Sequence, residues 1–237
     1  MKAIVALVSI VSFLMVVLPG LLYQFAGLSL GLAFTSFRFG LFVGVAALVL
    51  IILQLLFARK TMQWGKTAVW TAMALVAIVM PLQMMGQAKS VPPIHDISTD
   101  VSNPPAFVAV APKRADAPNP LEYAGGEVTR QQLEAYPNIK TQVFSQPLDK
   151  VYTAAEKAVA ELGWERTQQN ALENTIEATD TTFWFGFKDD VVIRLTAKDN
   201  KTLVDVRSKS RVGMSDLGKN AQRIEAFFDV LHQQLAD

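Results

Sequence analysis

Two facts about the first 95 residues constrain this chain more than anything else in it: they contain no Asp or Glu, and they hold three long apolar runs. A helix needs about 20 apolar residues to cross the roughly 30 Å hydrocarbon core of a bilayer. Residues 4–22, 39–58 and 67–86 meet that requirement, so the sequence predicts three transmembrane helices within residues 1–88. Lys2 followed by an apolar run is also how a signal peptide begins. No small-x-small cleavage site follows Pro19-Gly20, however, and more apolar sequence does, so the run reads as a span. The stretch from Tyr23 to Phe37 is apolar and glycine-bearing, and fits either an extension of the first helix or an interfacial or re-entrant segment.

The charges flanking the spans set an expected orientation. Arg59, Lys60 and Lys66 cluster between the second and third runs, and the preceding loop carries only Arg38. Positive loops stay cytoplasmic. The N-terminus is then inside, and the region after the third span is periplasmic or otherwise extracytoplasmic, with the protein in the inner (plasma) membrane. Trp64 and Trp70 suit the interface at the start of the third span. No Asp, Glu or His lies in a span, which argues against a pump or ion-coupled transporter. Gly40-x-x-x-Gly44 in the second run permits close helix packing, within the bundle or with a protein partner or second copy; the plainer reading is ordinary glycine usage in membrane helices.

All 21 acidic residues fall from Asp96 onward. The later region is therefore mildly acidic and unsuited to nucleic acid, which needs a basic surface. There is no cysteine, which removes disulfides, thiol nucleophiles and thiolate zinc sites, and there are only two histidines. Seven of the 11 prolines lie between Pro92 and Pro120, so residues 89–122 are expected to be an extended linker. Within it, His95, Asp96 and Asp100 are conceivable metal ligands, but the favoured reading is a docked segment pinned by Ile94, Ile97 and Val101, with no metal.

Residues 123–237 read as a soluble α+β domain. Val151, Ala155, Ala158, Val159 and Leu162 recur at helical spacing, with Pro147 at the start and Gly163 at the stop. Strands are expected over 164–168 and 174–185. Val191, Ile193 and Leu195 alternate with polar or opposite-facing residues, as do Val204, Val206 and Ser208. A two-residue Asp199-Asn200 loop would place Leu195 opposite Val204, Ile193 opposite Val206, and Arg194 opposite Asp205. A helix over 216–234, N-capped by Ser215, closes the pattern. The fold expected is a three-helix membrane region followed by a two-layer α/β sandwich, with an antiparallel sheet of about four strands, two helices on its apolar face and the other face free.

Three stretches carry a family resemblance: Pro92-Pro93-Ile94-His95-Asp96-Ile97-Ser98-Thr99-Asp100, Thr181-Thr182-Phe183-Trp184-Phe185-Gly186-Phe187-Lys188-Asp189-Asp190-Val191, and Asp205 through Ala221, which includes Arg207-Ser208-Lys209-Ser210-Arg211 and Ser215-Asp216-Leu217-Gly218-Lys219. Over about residues 91–235 the chain resembles the bacterial family called domain of unknown function 1499. That resemblance implies no substrate, cofactor or catalytic residue.

Candidate sites therefore come from residue chemistry alone. Ser210, Arg211, Ser215 and Lys219 precede a helix and can bind phosphate or carboxylate, although Asp216 already supplies negative charge there. Trp184, with Phe185 and Phe187 around Gly186, can line a lipid or hydrophobic groove, or simply be core. Lys188, Asp189 and Asp190 can form an acid–base group or a polar turn. Together with Arg207, these define the expected ligand-binding set: Trp184, Lys188, Asp190, Arg207, Ser210, Arg211, Ser215 and Lys219. No nucleophile elbow, phosphate loop, dinucleotide fingerprint or His-Glu-x-x-His motif occurs, and no cofactor is expected. The preferred expectation is a membrane-tethered binding or interaction module of the cell envelope. The alternatives are an unrecognised hydrolase or transferase using Asp and Arg residues between Arg194 and Asp216, and an accessory subunit of a membrane complex docking through Gly40 and Gly44.

Overall fold

The computed structural model describes residues 2–167 and 173–236, which form two compact units. The first comprises residues 1–89 together with the tetrapeptide Phe183–Gly186, and the second comprises residues 90–182 and 187–237.

The first unit holds three helices long and apolar enough to cross a membrane: α1 (Lys2–Ala26), α2 (Leu30–Phe57) and α3 (Trp64–Ser90). The stretch from Tyr23 to Phe37 is neither re-entrant nor a surface segment. It divides between the end of α1 and the start of α2, with a break at Gly27, whose φ is +69°. Ser29 caps α2 by accepting a hydrogen bond from the Leu32 N–H. Pro19 lies inside α1 and has no N–H to give the Met15 carbonyl. The Ser36 hydroxyl of α2 donates to that carbonyl at 2.9 Å, so a polar group freed by proline is satisfied from the neighbouring helix.

Gly40 and Gly44 both face into this bundle. A Cβ on Gly40 would lie 2.6 Å from Val16 Cγ2, and one on Gly44 would lie 3.1 Å from Ala77 Cβ. Gly40 therefore sets the approach of α1, and Gly44 that of α3. Gly40→Val is expected to destabilise the detergent-solubilised protein by about 1–3 kcal/mol through overpacking. Gly31→Ala, where the added carbon would meet no described atom within 4 Å beyond its chain neighbours and its own helix backbone, should not lower the thermal midpoint. The tetrapeptide is packed among the helices: the Trp184 indole N–H donates to the Val17 carbonyl at 2.9 Å, and a Cβ on Gly20 would lie 2.6 Å from that nitrogen. Phe185 is buried beside Tyr23 and Phe34.

The second unit is an antiparallel sheet with helices. Among the described residues its elements are β1 (Asp96–Ser98), α4 (Gly126–Ala135), β2 (Gln142–Phe144), α5 (Leu148–Glu161), β3 (Glu165–Thr167), β4 (Thr175–Thr181), β5 (Lys188–Lys198), β6 (Lys201–Ser210) and α6 (Lys219–Ala236). The strands run in the order β1-β6-β5-β4-β3, and β2 also pairs with β6. The sheet thus has two more strands than expected, because β1 and β2 are three-residue pieces too short to show alternation. The residue expected to end β3, Gln168, lies outside the described residues.

The β5–β6 hairpin has the register that its loop chemistry dictates: Leu195 opposes Val204, Ile193 opposes Val206 and Arg194 opposes Asp205. Asp199 and Asn200 both take positive φ, as a two-residue primed turn requires. Ile176, Ala178, Val191, Ile193, Leu195, Val204 and Val206 line one sheet face, where Val151, Ala155, Ala158 and Val159 of α5 and Ile224, Phe227 and Leu231 of α6 bury them.

The opposite face, expected to be bare, is covered. Residues 89–122 are not an extended linker: they contribute β1 and a short 3₁₀ turn (Ala111–Arg114), and Phe107, Val110 and Leu121 pack on Val192 of β5.

Candidate functional site

The covered sheet face is rich in charge, and register explains why. Residues directly opposite one another share a face, so Thr179, Asp190 and Lys209 form one row, Glu177, Val192 and Arg207 a second, and Thr175, Arg194 and Asp205 a third. Asp96 of β1 joins the first row opposite Lys209.

Asp190 is fully buried, and its carboxylate accepts four hydrogen bonds. Arg114 Nη1 donates at 2.6 Å, Arg211 Nε at 2.9 Å and Nη2 at 2.7 Å, and the Thr179 hydroxyl at 2.7 Å. That uses the whole acceptor capacity of a carboxylate. Burial pushes the Asp190 pKa up. The bonds from Arg211 and Thr179, the Arg211 charge and the bond from Arg114 outweigh burial and hold the carboxyl below its usual range.

Asp96, also buried, receives Arg207 as a fork, Nε at 2.9 Å and Nη2 at 2.8 Å, and the Lys209 ammonium at 2.9 Å. Arg207 also donates to the Pro105 and Leu121 carbonyls, and its guanidinium lies over the rings of Phe107 at 4.9 Å and Tyr123 at 5.4 Å. Lys209 donates to the Glu122 carbonyl at 2.6 Å. Burial pulls the Lys209 pKa down, and the charge and hydrogen bond of Asp96 offset this only in part.

Glu177 is the third buried anion. Its carboxylate accepts the backbone N–H groups of Val108, Ala109 and Val110, each at 2.9 Å, where the chain enters the 3₁₀ turn. Helix-like N–H groups that would ordinarily need a cap or an external anion are satisfied by this side chain. Arg194 bonds both Asp100 and Asp205, and Asp205 also accepts the Thr99 and Thr141 hydroxyls.

A second polar cluster lies at one end of the helical face. Arg223 of α6 bonds Asp180 and Asp189, and with Ser208 it converges on Asn220 Oδ1. Ser210 accepts from the Asn220 amide. The N-terminus of α6 is capped by Asp216 rather than Ser215: Asp216 accepts the N–H groups of Gly218 and Asn220, both at 2.7 Å, whereas Ser215 accepts only that of Leu217. The place expected for an external anion is thus taken by a carboxylate of the chain itself. Burial raises the Asp216 pKa, against the two backbone bonds.

Of the eight residues singled out from sequence, the structure brings Asp190 and Arg211 into direct contact and places Arg207 on the same sheet face. Ser210 belongs to the α6 cluster, Lys188 and Lys219 are exposed, and Trp184 lies in the first unit. Among the described residues, no group of three His, Asp or Glu is placed to hold a metal. Asp96 and Asp100 are committed to cations of the chain, and the His95 ring lies 3.4 Å from the Met214 carbonyl oxygen. Sequence reasoning did not single out Arg114, Glu177 or Arg223. The polar position of Glu177 between Ile176 and Ala178 is the only local sign of its face, and Arg114 sits in a proline-rich stretch with no periodicity. A concavity of about 190 Å³, lined in part by Lys140, Gln142, Phe228 and His232, includes none of the buried charges.

No curated protein matches the chain closely enough to lend it a function. The model of the family described as protein of unknown function DUF1499 matches residues 96–231, a stretch containing all of the buried charges above. That match spans more than half of the chain, and the chain belongs to the DUF1499 family.

Proposed function

We propose that this is a membrane-anchored protein of the cell envelope whose second unit is a non-catalytic binding or interaction module. One observation carries the reading: the buried carboxylates Asp190, Asp96 and Glu177 each accept three or four hydrogen bonds from side chains or backbone groups of the chain itself. Catalytic acids and bases need a free valence toward a substrate in a cleft. Asp190 has none left, and Arg114 and Lys209 are buried with it. The positive loop of Arg59, Lys60 and Lys66 supports a cytoplasmic location for the α2–α3 connection, and hence a periplasmic or extracytoplasmic second unit in the inner membrane.

The contact surface is then sought among exposed apolar side chains of the second unit, Met214 and Val143 foremost. Photocrosslinking residues placed at Met214 and Val143 in living cells should each capture a discrete species absent from a Lys150 control. Turnover of an envelope substrate by the purified protein, abolished by Lys188→Ala or Ser215→Ala with the fold intact, would instead establish a hydrolase or transferase. An accessory subunit of a membrane complex is the remaining reading. It would appear as a stoichiometric companion on gentle extraction.

A further inference from the structure

Arg38 is the only charged residue between Lys2 and Arg59, and no acidic residue exists in the first 95 to pair with it. It is exposed on α2. The buried residues of that helix, among them Ala33, Phe37, Gly40, Gly44, Ala47 and Ile51, define a stripe facing α1 and α3. At 100° per residue, Arg38 falls on the opposite stripe, with Phe42, Val45, Val49 and Ile52, which are 58%, 46%, 49% and 54% exposed. The guanidinium therefore points away from the bundle, into whatever surrounds it.

Helix length sets its depth. From Arg38 to the end of α2 at Phe57 is about 28 Å at 1.5 Å per residue, close to the roughly 30 Å hydrocarbon thickness. With the Arg59–Lys66 loop at one boundary, Arg38 lies at the other, where lipid phosphates are. Below it, the apolar stripe reaches Val49 after about 16 Å, the length of one leaflet's acyl region. Above it, the exposed Thr35 lies one turn away on the same side, its hydroxyl bonded to the Gly31 carbonyl at 2.7 Å.

We infer that α2 carries a phospholipid site in the leaflet away from the Arg59–Lys66 loop: the Arg38 guanidinium binds the lipid phosphate, and an acyl chain lies along Phe42, Val45 and Val49. A planar guanidinium matches phosphate oxygens in pairs, and the pairing neutralises a cation that the chain itself leaves without an acidic neighbour in this region. The first turns of α2, before Arg38, then stand clear of the hydrocarbon.

Native mass spectrometry of the full-length protein in detergent, titrated with phosphatidylglycerol, tests this. Arg59→Gln/Lys60→Gln serves as background, to remove binding at the other boundary. The background protein should retain one more lipid than its Arg38→Gln derivative, with apparent affinity falling at least tenfold on that substitution. Arg38→Lys should fall between them, which holds the test open if Arg38→Gln expresses poorly. Diacylglycerol with the same chains should not be retained through Arg38, and millimolar inorganic phosphate should not displace the lipid. Equal retention by the background protein and Arg38→Gln, or equal retention of diacylglycerol, overturns the inference. Displacement by inorganic phosphate, with a phosphate adduct of its own, would make this a free-anion site and overturn the lipid assignment.

Discussion

Asp190→Ala is expected to destabilise the second unit by about 3–5 kcal/mol, the cost of leaving buried charge without its partner. Arg114 is buried and Arg211 nearly so, and both guanidiniums point at the carboxylate that the substitution removes. Arg114 cannot reach bulk water without withdrawing from the sheet and taking the 3₁₀ turn with it. Against a total stability on the order of 5–15 kcal/mol, the loss is severe. Chemical denaturation of the detergent-solubilised protein measures it.

The pH dependence follows from the depressed pKa of Asp190. The group is ionised in both states at neutral pH, so its contribution is fully present above the unfolded carboxyl value of about 4. The contribution is lost as pH falls through the lower, folded value. The stability gap between wild type and Asp190→Ala should therefore be constant from pH 8 to 5 and close only in stronger acid. A gap that narrowed between pH 7 and 5 would mean that the carboxylate is not held as described.

Glu177→Gln is expected to cost about 2–3 kcal/mol although it changes few atoms. The carboxylate accepts three N–H groups, Val108 and Ala109 on one oxygen and Val110 on the other. A glutamine oxygen can keep the first two, but its NH₂ then faces the Val110 N–H, donor against donor, with both residues buried. Hydrogen exchange should show the effect locally, with faster exchange at 108–110 while β5 and β6 keep their protection. Unchanged exchange at those amides would show that the carboxylate does not hold this turn.

These two residues also show what the sequence made legible. The β5–β6 hairpin was readable to the residue, because a two-residue turn and strict alternation together allow one register. The helices α5 and α6 were readable because their apolar stripes repeat at helical spacing. Residues 89–122 were not, because prolines erase periodicity. The segment is held largely by side chains reaching to distant positions, such as Arg114 to Asp190 and Arg207 to the Pro105 carbonyl. The charges of β5 and β6 suggested a solvated face or a binding site, because alternation shows which residues share a face and only the partner segment shows whether that face is wet. Gln54 marks a similar limit in the first unit. It is buried between apolar helices with both ends of its amide lacking a partner among the described residues, and its apolar neighbours in sequence give no sign of it.

The buried charges of this DUF1499 domain fasten its N-terminal segment to the sheet. A double-mutant cycle on Arg114→Met and Asp190→Ala, read by denaturation, tests it most directly. The double variant is expected to be more stable than the sum of the single losses allows, with a coupling of about 1–3 kcal/mol. Losses that add to within about 0.5 kcal/mol would contradict it, since they would mean that residues 76 positions apart in sequence do not meet in the folded protein.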